Sequence, residues 1–242
     1  MTASDEGTAA TLALISAERI AHDDKPAVVG WLQRLCRAAE RALPATGVAI
    51  TLMSDGHEPL TAVASSSASA AVEELQFTLG EGPCLDAHAS RAPVLIADVS
   101  DGATVRWPAY AEAVGNHGVR AVFAFPMQVG AARMGVLDVY RDTRGPMSPE
   151  ALAQALAFAE VALTALLDAQ RSHDDAESVL EDAVDSRLEV YQAQGMVMVQ
   201  LGVDIGEAMV RLRAYAYAHD RRIGELAREI VSGKLNLSND DR

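Results

Sequence analysis

The sequence has little cysteine and no continuous apolar run long enough to cross a membrane. Only two cysteines, Cys36 and Cys84, occur in 242 residues, which is too few for a disulfide scaffold and fits a reducing cytoplasm. No uninterrupted apolar run approaches the ~20 residues of a transmembrane helix. The first residues, MTASDEG, are polar and acidic, whereas a secretory signal begins with positive charge. We therefore expect a cytoplasmic protein without a membrane partner.

Basic residues are scarce relative to acidic ones. The chain has 20 lysines and arginines against 34 aspartates and glutamates, a net charge of -14. Nonspecific DNA binding depends on many basic contacts with phosphate, so the composition argues against DNA as a partner. Any nucleic acid must be recognised by a local basic patch. Six carboxylates between Asp174 and Asp185 would repel a long duplex and favour a compact RNA target.

Catalytic and phosphate-binding motifs are also missing. The turn at Gly80, Gly82 and Pro83 lacks the lysine and the serine or threonine of a phosphate loop, and we interpret it as a structural turn. Asp98 and Asp138 stand in or just after apolar strands without a partnered base or nucleophile, which is more typical of capping or turn residues than of catalysis. We therefore predict that the protein is not an enzyme. An aspartate-rich receiver domain, which would make phosphorylation the natural input, is also missing.

The two cysteines have separate interpretations. Cys36 lies on an apolar helical stripe, which predicts a small buried hydrophobe, with a reactive thiol as the alternative. Cys84 and His88 are four residues apart on a predicted helix, so they could share a face and bind a metal or a haem iron. Two ligands do not complete a metal site, and the other histidines show no comparable pairing. We therefore predict no metal site and no certain cofactor.

The first two thirds of the chain alternate between helical and extended patterns. The first twenty-five residues contain a short helical stretch, Leu12–Ile20, and are otherwise expected to be partly disordered. A helix with Val29, Leu32, Cys36 and Ala39 on one face follows Pro26. Strands are predicted at 48–54, 60–67, 93–99, 119–129 and 134–142, and helices at 71–76, 84–90 and 107–114. These elements predict an α+β domain with an antiparallel sheet flanked by helices.

Three motifs in this half support a family assignment. They are GEGPCLDAHASRAPVLIADV at 80–99, RWPAYAEAV at 106–114 and MGVLDVYR at 134–141. Over residues 26–170 the chain resembles the GAF family of sensory domains. The resemblance implies a pocket for a small molecule between the sheet and the helices of one face, with an occupant that varies across the family. The residues that we expect at this pocket are Cys84, Trp107, Tyr110, Phe123 and Phe125.

A helical stripe continues beyond the predicted sheet domain. It starts with Ser148 as a cap and Pro149 at the first helical position, and its apolar face comprises Leu152, Leu156, Ala159, Leu163 and Leu166. No proline or glycine interrupts the pattern before Gly195, so we predict a long helix, weakened near His173, with 171–187 as a helical connector. The stripe either pairs with the same helix of a second chain, which predicts a homodimer through flanking and connecting helices, or folds back on its own sheet.

The C-terminal region predicts an all-α bundle of three helices. Val190, Ala193, Val197 and Leu201 form one face of the first helix, which ends at Gly202. Asp204, followed by Glu207, predicts a capping box at the start of the second helix. Asp220 is predicted to cap the third helix, which ends at Gly233. The second helix pairs arginine with tyrosine on each flank, at Arg211 and Tyr215 and at Arg213 and Tyr217.

This region resembles the ANTAR domain over about its last fifty residues. The similarity lies in YQAQGMVMVQ at 191–200 and in Ala208, Leu212, Arg213, Ala216 and Ala227. It implies a three-helix module that binds RNA hairpins and alters transcription termination or translation. Several family members have a lysine where this chain has Gln194, so a charged contact is replaced by a neutral one. The predicted RNA contacts are Gln192, Gln194, Arg211, Arg213, Tyr215, Tyr217, Arg221, Arg222 and Arg228.

Together these features predict a signal-responsive RNA-binding regulator. Its predicted organisation is an N-terminal segment (1–25), a GAF-like domain (26–170), a connector (171–187), an ANTAR-like domain (188–235) and a tail (236–242). An unknown small molecule would bind the GAF-like domain. The alternative is a ligand-responsive protein-interaction switch that binds no RNA, because tyrosine and arginine are also favoured at protein hot spots.

Overall fold

The chain forms two compact units. The computed structural model describes residues 3–19, 27–53, 60–101, 103–171, 188–219 and 221–239. The first unit is built around a sheet, and the second consists of the helices from residue 188 onward. Each unit buries its own apolar residues, so each is described by itself.

The sheet has five antiparallel strands, as the sequence predicts. They are β1 (Gly47–Leu52), β2 (Leu60–Ala64), β3 (Val94–Ile96), β4 (Ala121–Val129) and β5 (Ala132–Arg141). Their order is β2-β1-β5-β4-β3, and every neighbouring pair is antiparallel. β3 is shorter than the predicted strand at 93–99. The turn predicted at 55–59 lies outside the described residues.

Seven helices of the described residues surround this sheet. They are α1 (Ala3–Ala17), α2 (Ala27–Ala42), α3 (Ser67–Leu79), α4 (Pro83–Ser90), α5 (Ala103–Arg106), α6 (Pro108–Asn116) and α7 (Pro149–Arg171). α1 is longer than the predicted stretch Leu12–Ile20 and packs against α2 and α7. Thr11 and Ile15 are buried there, so the N-terminal segment contributes to the core.

The main hydrophobic core lies between one face of the sheet and helices α1, α2 and α7. Alternate residues of each strand point to this face because side chains of a strand alternate with a period of two. The strand residues that it buries include Val48, Ile50, Phe123, Phe125, Leu137 and Val139. Cys36 of α2 is in the same core, and burial raises the pKa of its thiol. The prediction of a buried hydrophobe at Cys36 is confirmed.

α7 buries its apolar face within its own unit. Ala159, Leu163 and Leu166 are buried as the stripe predicts, whereas Leu156 is 45% exposed. The helix packs against α1, α2, β4 and β5, so its own domain covers this face. The predicted cap is present, since the Ala151 amide donates to Ser148 Oγ at 3.2 Å. The predicted continuation of the helix through 172–187 lies outside the described residues.

One segment of α7 meets the length and composition criteria of a membrane span. An 18-residue window within Pro149–Gln170 has a mean hydropathy of 1.5, and 39% of that window is buried. The expectation that no uninterrupted apolar run of this length occurs still holds, because Glu150, Glu160 and Asp168 interrupt the helix, although they lower its average hydropathy only a little. Core helices of globular domains satisfy the same criterion, and α7 supplies buried side chains to the main core.

Among its described residues, the second unit contains three helices and a short 3₁₀ turn. α8 spans 188–201, α9 is Ile205–Ala218, α10 is Ile223–Val231, and the 3₁₀ turn is Leu237–Asn239. Of the face predicted for the first helix, Val190, Ala193 and Val197 are buried and Leu201 is half-buried. The next two helices bury Ala208, Leu212, Ala216, Ile223, Leu226, Ala227 and Ile230. Leu237, predicted to lie in the tail, is also buried. Its amide donates to Gln200 Oε1 at 3.2 Å.

The helix ends of this unit agree with the sequence at most positions. The Asp204 side chain accepts the Glu207 amide at 2.8 Å and caps α9. Gly202 and Gly233 adopt positive φ angles of 66° and 73°, as expected for glycines that end helices. The third cap differs, because α10 begins with Arg222 at the capping position and without a side-chain cap. Asp220, the predicted cap, lies outside the described residues.

Candidate ligand cluster and candidate nucleic-acid interface

A polar cluster lies within the sheet domain, on the face opposite the main core. The residues of this cluster are Thr51, Glu73, Gln76, Cys84, Tyr110, Asp138 and Tyr140, each at most 2% exposed. β5 contributes two of them because its alternation directs Leu137 and Val139 to the main core and Asp138 and Tyr140 to the other face. Helices α3, α4 and α6 supply most of the others. So many buried polar groups in one place require mutual hydrogen bonds or a ligand.

Glu73 is the best-satisfied member of the polar cluster. Its Oε1 accepts hydrogen bonds from Thr51 Oγ1 at 2.7 Å and from Gln76 Nε2 at 3.1 Å. Its Oε2 accepts a short hydrogen bond from the Tyr140 hydroxyl. Burial raises the pKa of Glu73, and these hydrogen bonds oppose the rise. The contacts hold the carboxyl group in one orientation.

Asp138 is buried without such partners. Neither carboxylate oxygen has a hydrogen bond among the described residues. Burial raises the pKa of Asp138 well above its usual range, the charge of Glu73 adds to the effect, and the nearby Cys84 and Gln76 side chains offset part of it. The prediction of a capping or turn role was wrong, because Asp138 lies in the middle of β5 between Ala49 and Ala124.

The glycine turn before α4 positions Cys84 in the polar cluster. Gly82 has φ of 147°, and a Cβ atom there would lie 2.4 Å from Gln76 Oε1. The same Oε1 accepts the Cys84 amide at 2.8 Å. Glu81 Oε1 accepts the Tyr110 amide at 2.9 Å, which joins the turn to the start of α6. The turn is structural, as predicted, and it fixes two members of the cluster.

The five residues predicted to line one pocket do not share a face of the sheet. Cys84 and Tyr110 belong to the polar cluster, and Trp107 contacts Tyr110 edge-on with ring centroids 6.4 Å apart. Phe123 and Phe125 lie in the main core, against α2 and α7. The sequence placed them with the others because adjacent apolar residues of a buried strand do not show which face each one occupies.

Glu73 and Gln76 were missed in the sequence, and Cys84 was considered with the wrong neighbour. Among the described residues, Cys84 forms a group of metal-ligating side chains with Glu73 and Asp138, whose ligating atoms all lie within 4.8 Å of one another, and His88 is not part of that group. The sequence did contain one indication of the cluster, which is Asp138 inside an apolar strand. A buried carboxylate is rare unless it has a partner. Asp98, by contrast, is a turn residue as predicted, because its Oδ1 accepts the Ser100 amide at 2.9 Å.

Three of the arginines predicted to contact phosphate are held in ion pairs within the helical unit. The pairs are Arg211 with Glu207 at 3.0 Å, Arg221 with Glu229 at 2.7 Å and Arg228 with Glu189 at 3.2 Å. The Arg221 pair is bidentate, and it lowers the pKa of Glu229 below its usual range. Each pair cancels positive charge locally, so the surface is less basic than the five predicted arginines would make it if none were paired.

Arg222 and Tyr217 are the predicted contacts most available to a ligand. Arg222 is exposed, and its guanidinium has no hydrogen bond or ion pair with any residue that the structure describes. Tyr217 is 49% exposed and lies one turn after Arg213 on α9. Tyr215 stacks on His219, with ring centroids 4.0 Å apart, so one face of its ring is already covered.

The two predicted glutamines occupy different surroundings. Gln194 Nε2 donates to the Ile205 carbonyl at 2.7 Å, which fastens α8 to the start of α9. Gln192 borders an open groove of about 610 Å³ between α8 and α10. The remaining residues of the groove are Gly195, Met196, Val199, Gln200 and Val231. The groove is largely apolar. Gln194 makes a structural contact that the sequence did not indicate.

Comparisons with known proteins agree with this two-part organisation. The GAF domain family matches residues 31–166, and the ANTAR domain family matches residues 178–231. A comparison with curated protein sequences gives no match.

Solved structures resemble the sheet domain. A GAF domain from a phosphoenolpyruvate-protein phosphotransferase of Coxiella burnetii superposes with a TM-score of 0.54 at 16% identity, covering 71% of this chain and 96% of that one. The GAF domain of an Acinetobacter phosphoenolpyruvate-protein phosphotransferase gives 0.53 at 12% identity, with coverages of 72% and 99%. At such identities the likeness concerns the fold alone. The family match covers more than half of the sequence, and the chain therefore belongs to the GAF family, with an ANTAR domain following the GAF domain as in a signal-gated regulator.

Proposed function

We propose that this protein is a cytoplasmic regulator in which the GAF domain senses a signal and the ANTAR domain binds an RNA hairpin. Binding would alter transcription termination or translation of that RNA. Both domains are regulatory, and we propose no catalytic activity. The acidic net charge of -14 supports a local RNA surface rather than a DNA-coating one.

The observation that carries the RNA proposal is the exposed aromatic and basic surface around the end of α9. Tyr217 offers an accessible ring, and Arg222 an accessible guanidinium. RNA hairpins present splayed loop bases that stack on aromatic rings and arginine planes. Arg213, also a predicted contact, lies one turn before Tyr217 on the same flank. The ion-paired Arg211, Arg221 and Arg228 would contribute less, since each already faces a carboxylate.

A selection experiment would identify the target. The full chain is incubated with a pool of short RNA hairpins at low and moderate salt, and the retained RNA is sequenced. We expect enrichment of a common loop. Failure to enrich any hairpin, with and without a cell metabolite extract as a source of the GAF ligand, would contradict the proposal.

Arg222→Ala is expected to weaken binding of the selected hairpin and to reduce its salt dependence. Removing one phosphate contact lowers the slope of log K against log salt by about 0.7 to 0.9. Arg221→Ala is expected to affect the slope less and thermal stability more, because Glu229 already neutralises that guanidinium. Titrations at several salt concentrations measure the slopes.

The control is Arg144→Ala, which removes the same charge from the sheet domain. Arg144 is exposed and pairs with Asp98 at 2.8 Å, so its loss should leave hairpin binding nearly unchanged. An equal loss of slope in the Arg144 and Arg222 variants would indicate a general charge effect. That result would remove Arg222 from the proposed interface.

A homodimer is part of the proposal. α1 and α7 expose apolar side chains in the described residues, including Leu12, Leu14 and Leu156, on helices that flank the GAF domain. A second copy would cover such side chains. Light scattering is expected to give twice the mass of one chain, and Leu156→Lys to shift the population towards the single chain. A monomer at micromolar concentration would contradict this part of the proposal.

A protein-interaction switch is the second candidate function. The apolar groove between α8 and α10 favours it, since Val199 is 75% exposed there and such grooves accept partner helices. A labelled hairpin separates the two functions. Competition by total cellular RNA supports the RNA regulator, whereas competition by nuclease-treated protein extract supports the switch.

A further inference from the structure

The polar cluster contains three metal-ligating side chains from three different elements. Glu73 belongs to α3, Cys84 to α4 and Asp138 to β5, and their ligating atoms all lie within 4.8 Å of one another. Ligands around a tetrahedral ion, with bonds of about 2.0 to 2.3 Å, are separated by roughly 3.3 to 3.8 Å. The three groups therefore need to move together by about an ångström to enclose one ion.

Two residues of the polar cluster also have buried polar atoms without hydrogen-bond partners in the described part of the chain. Both carboxylate oxygens of Asp138 and the hydroxyl of Tyr110 are buried, and none has a hydrogen-bond partner among the described residues. Buried polar atoms in folded proteins nearly always have partners. The unpaired Asp138 oxygens lie beside the Cys84 thiol and the Glu73 carboxyl group. This arrangement indicates that the cluster binds a positively charged ligand.

No ion pair between described side chains involves Glu73 or Asp138. Other carboxylates are paired with arginine, for example Asp86 with Arg106 and Asp98 with Arg144. Glu73 is instead oriented by Thr51, Gln76 and Tyr140. Hydrogen-bond partners of this kind are what hold a metal-ligating carboxylate in position.

We propose that Glu73, Cys84 and Asp138 bind a divalent transition-metal ion of borderline hardness, of the Zn²⁺ and Fe²⁺ class. A thiolate prefers softer ions and carboxylates prefer harder ones, so a mixed set selects the intermediate class over Mg²⁺ or Ca²⁺. Three protein ligands leave a fourth position open, and the Tyr110 hydroxyl of the same cluster is buried without a hydrogen-bond partner among the described residues. The ion would give the GAF domain an input of its own.

Cobalt provides a direct test because Co²⁺ occupies such sites and a thiolate bound to it absorbs in the near ultraviolet. The metal-free full chain is titrated with Co²⁺ both as folded protein and during refolding from denaturant, since the site is closed to solvent. We expect thiolate-to-cobalt absorption that saturates at one ion per chain and is abolished by Zn²⁺. Cys84→Ala should eliminate this absorption, whereas Cys36→Ala, which removes the other buried cysteine, should leave it intact.

The variant Asp138→Asn tests whether Asp138 is a metal ligand or only a structural residue. It is expected to weaken Co²⁺ binding at least 10-fold, about the smallest loss seen when groups around a metal are changed. Its metal-free unfolding midpoint should be no lower than that of the natural chain, because no hydrogen bond of Asp138 is lost. Zn²⁺ should raise the midpoint of the natural chain but not that of the variant.

Two results would overturn the metal site. One is the absence of thiolate absorption in both the folded and the refolded titration. The other is Co²⁺ binding that persists in Cys84→Ala, which would assign the ion to surface histidines. These readouts do not involve RNA, so their failure leaves the RNA proposal untouched, and failure of hairpin binding leaves the metal site untouched.

Discussion

Gly135→Ala is expected to destabilise the GAF domain severely, by roughly 2 to 6 kcal/mol, the sum of backbone strain and overpacking. Gly135 has φ of 149°, and a Cβ atom there would lie 2.0 Å from the Thr51 carbonyl oxygen and 2.9 Å from Leu52 Cα. These are backbone atoms of β1, which is hydrogen-bonded on both sides, to β2 and β5. The strand cannot move aside without breaking one of its two ladders.

The measurement is chemical denaturation followed by tryptophan fluorescence. Both tryptophans, Trp31 and Trp107, belong to the sheet domain, so the fluorescence reports that domain. We expect the midpoint of Gly135→Ala to fall to a low denaturant concentration, or the domain to be unfolded at the outset. Co²⁺ absorption at Cys84 should be lost with it, because β5 also carries Asp138.

Gly130→Ala is the matched control. Gly130 also lies at the β4–β5 hairpin and has a positive φ of 57°, but nothing is within 4 Å of the position of an added Cβ atom. Its substitution should cost only about 1 kcal/mol, the usual penalty for a non-glycine residue in the left-handed region. If Gly135→Ala and Gly130→Ala lower the free energy of unfolding equally, the positive φ angle alone determines the cost. The close approach of β1 and β5 at Gly135 would then not contribute.

Tyr217→Ala is expected to weaken hairpin binding by about 5- to 150-fold. A base stacked on an aromatic side chain contributes about 1 to 3 kcal/mol, which corresponds to that range of affinity. Tyr217→Phe keeps the ring and should bind within about twofold of the natural chain, far less than the cost of one stacked base. Fluorescence anisotropy of a labelled hairpin from the selected pool measures both variants.

The neighbouring tyrosine provides an internal comparison. Tyr215 stacks on His219 with an interplanar angle of 18°, so a base can reach only the other face of its ring. We expect Tyr215→Ala to have a smaller effect on affinity than Tyr217→Ala. A larger effect at Tyr215, or none at either position, would place the RNA surface elsewhere on the ANTAR domain.

The apolar periodicity of the sequence predicted most of the fold. Val190, Ala193 and Val197 in α8, and Ala159, Leu163 and Leu166 in α7, are buried as their spacing indicates. Local chemistry was equally informative at Asp204, whose side chain must accept a free amide at the start of α9. These features depend on residues within one or two turns of each other, so a single segment contains the information.

Charge interactions between distant residues could not be predicted in this way. Arg228 lies 39 residues from its partner Glu189, and Arg221 faces Glu229 only because the chain turns into α10 between them. From the sequence alone, these arginines were predicted to contact RNA phosphates. The tertiary structure shows which of them are neutralised, and it leaves Arg222 as the predicted arginine without a partner among the described residues.

The sequence by itself determined the two domains, their families and the order of most elements, because hydrophobic period and short motifs are local properties. Only the tertiary structure decided which face of the sheet each side chain occupies. It separated Phe123 and Phe125 from Cys84, and it brought Cys84 to Glu73 and Asp138, which are 11 and 54 positions away in the chain. Such a cluster depends on how α3 and α4 lie across β5, and that arrangement results from packing over the whole sheet rather than from any one segment.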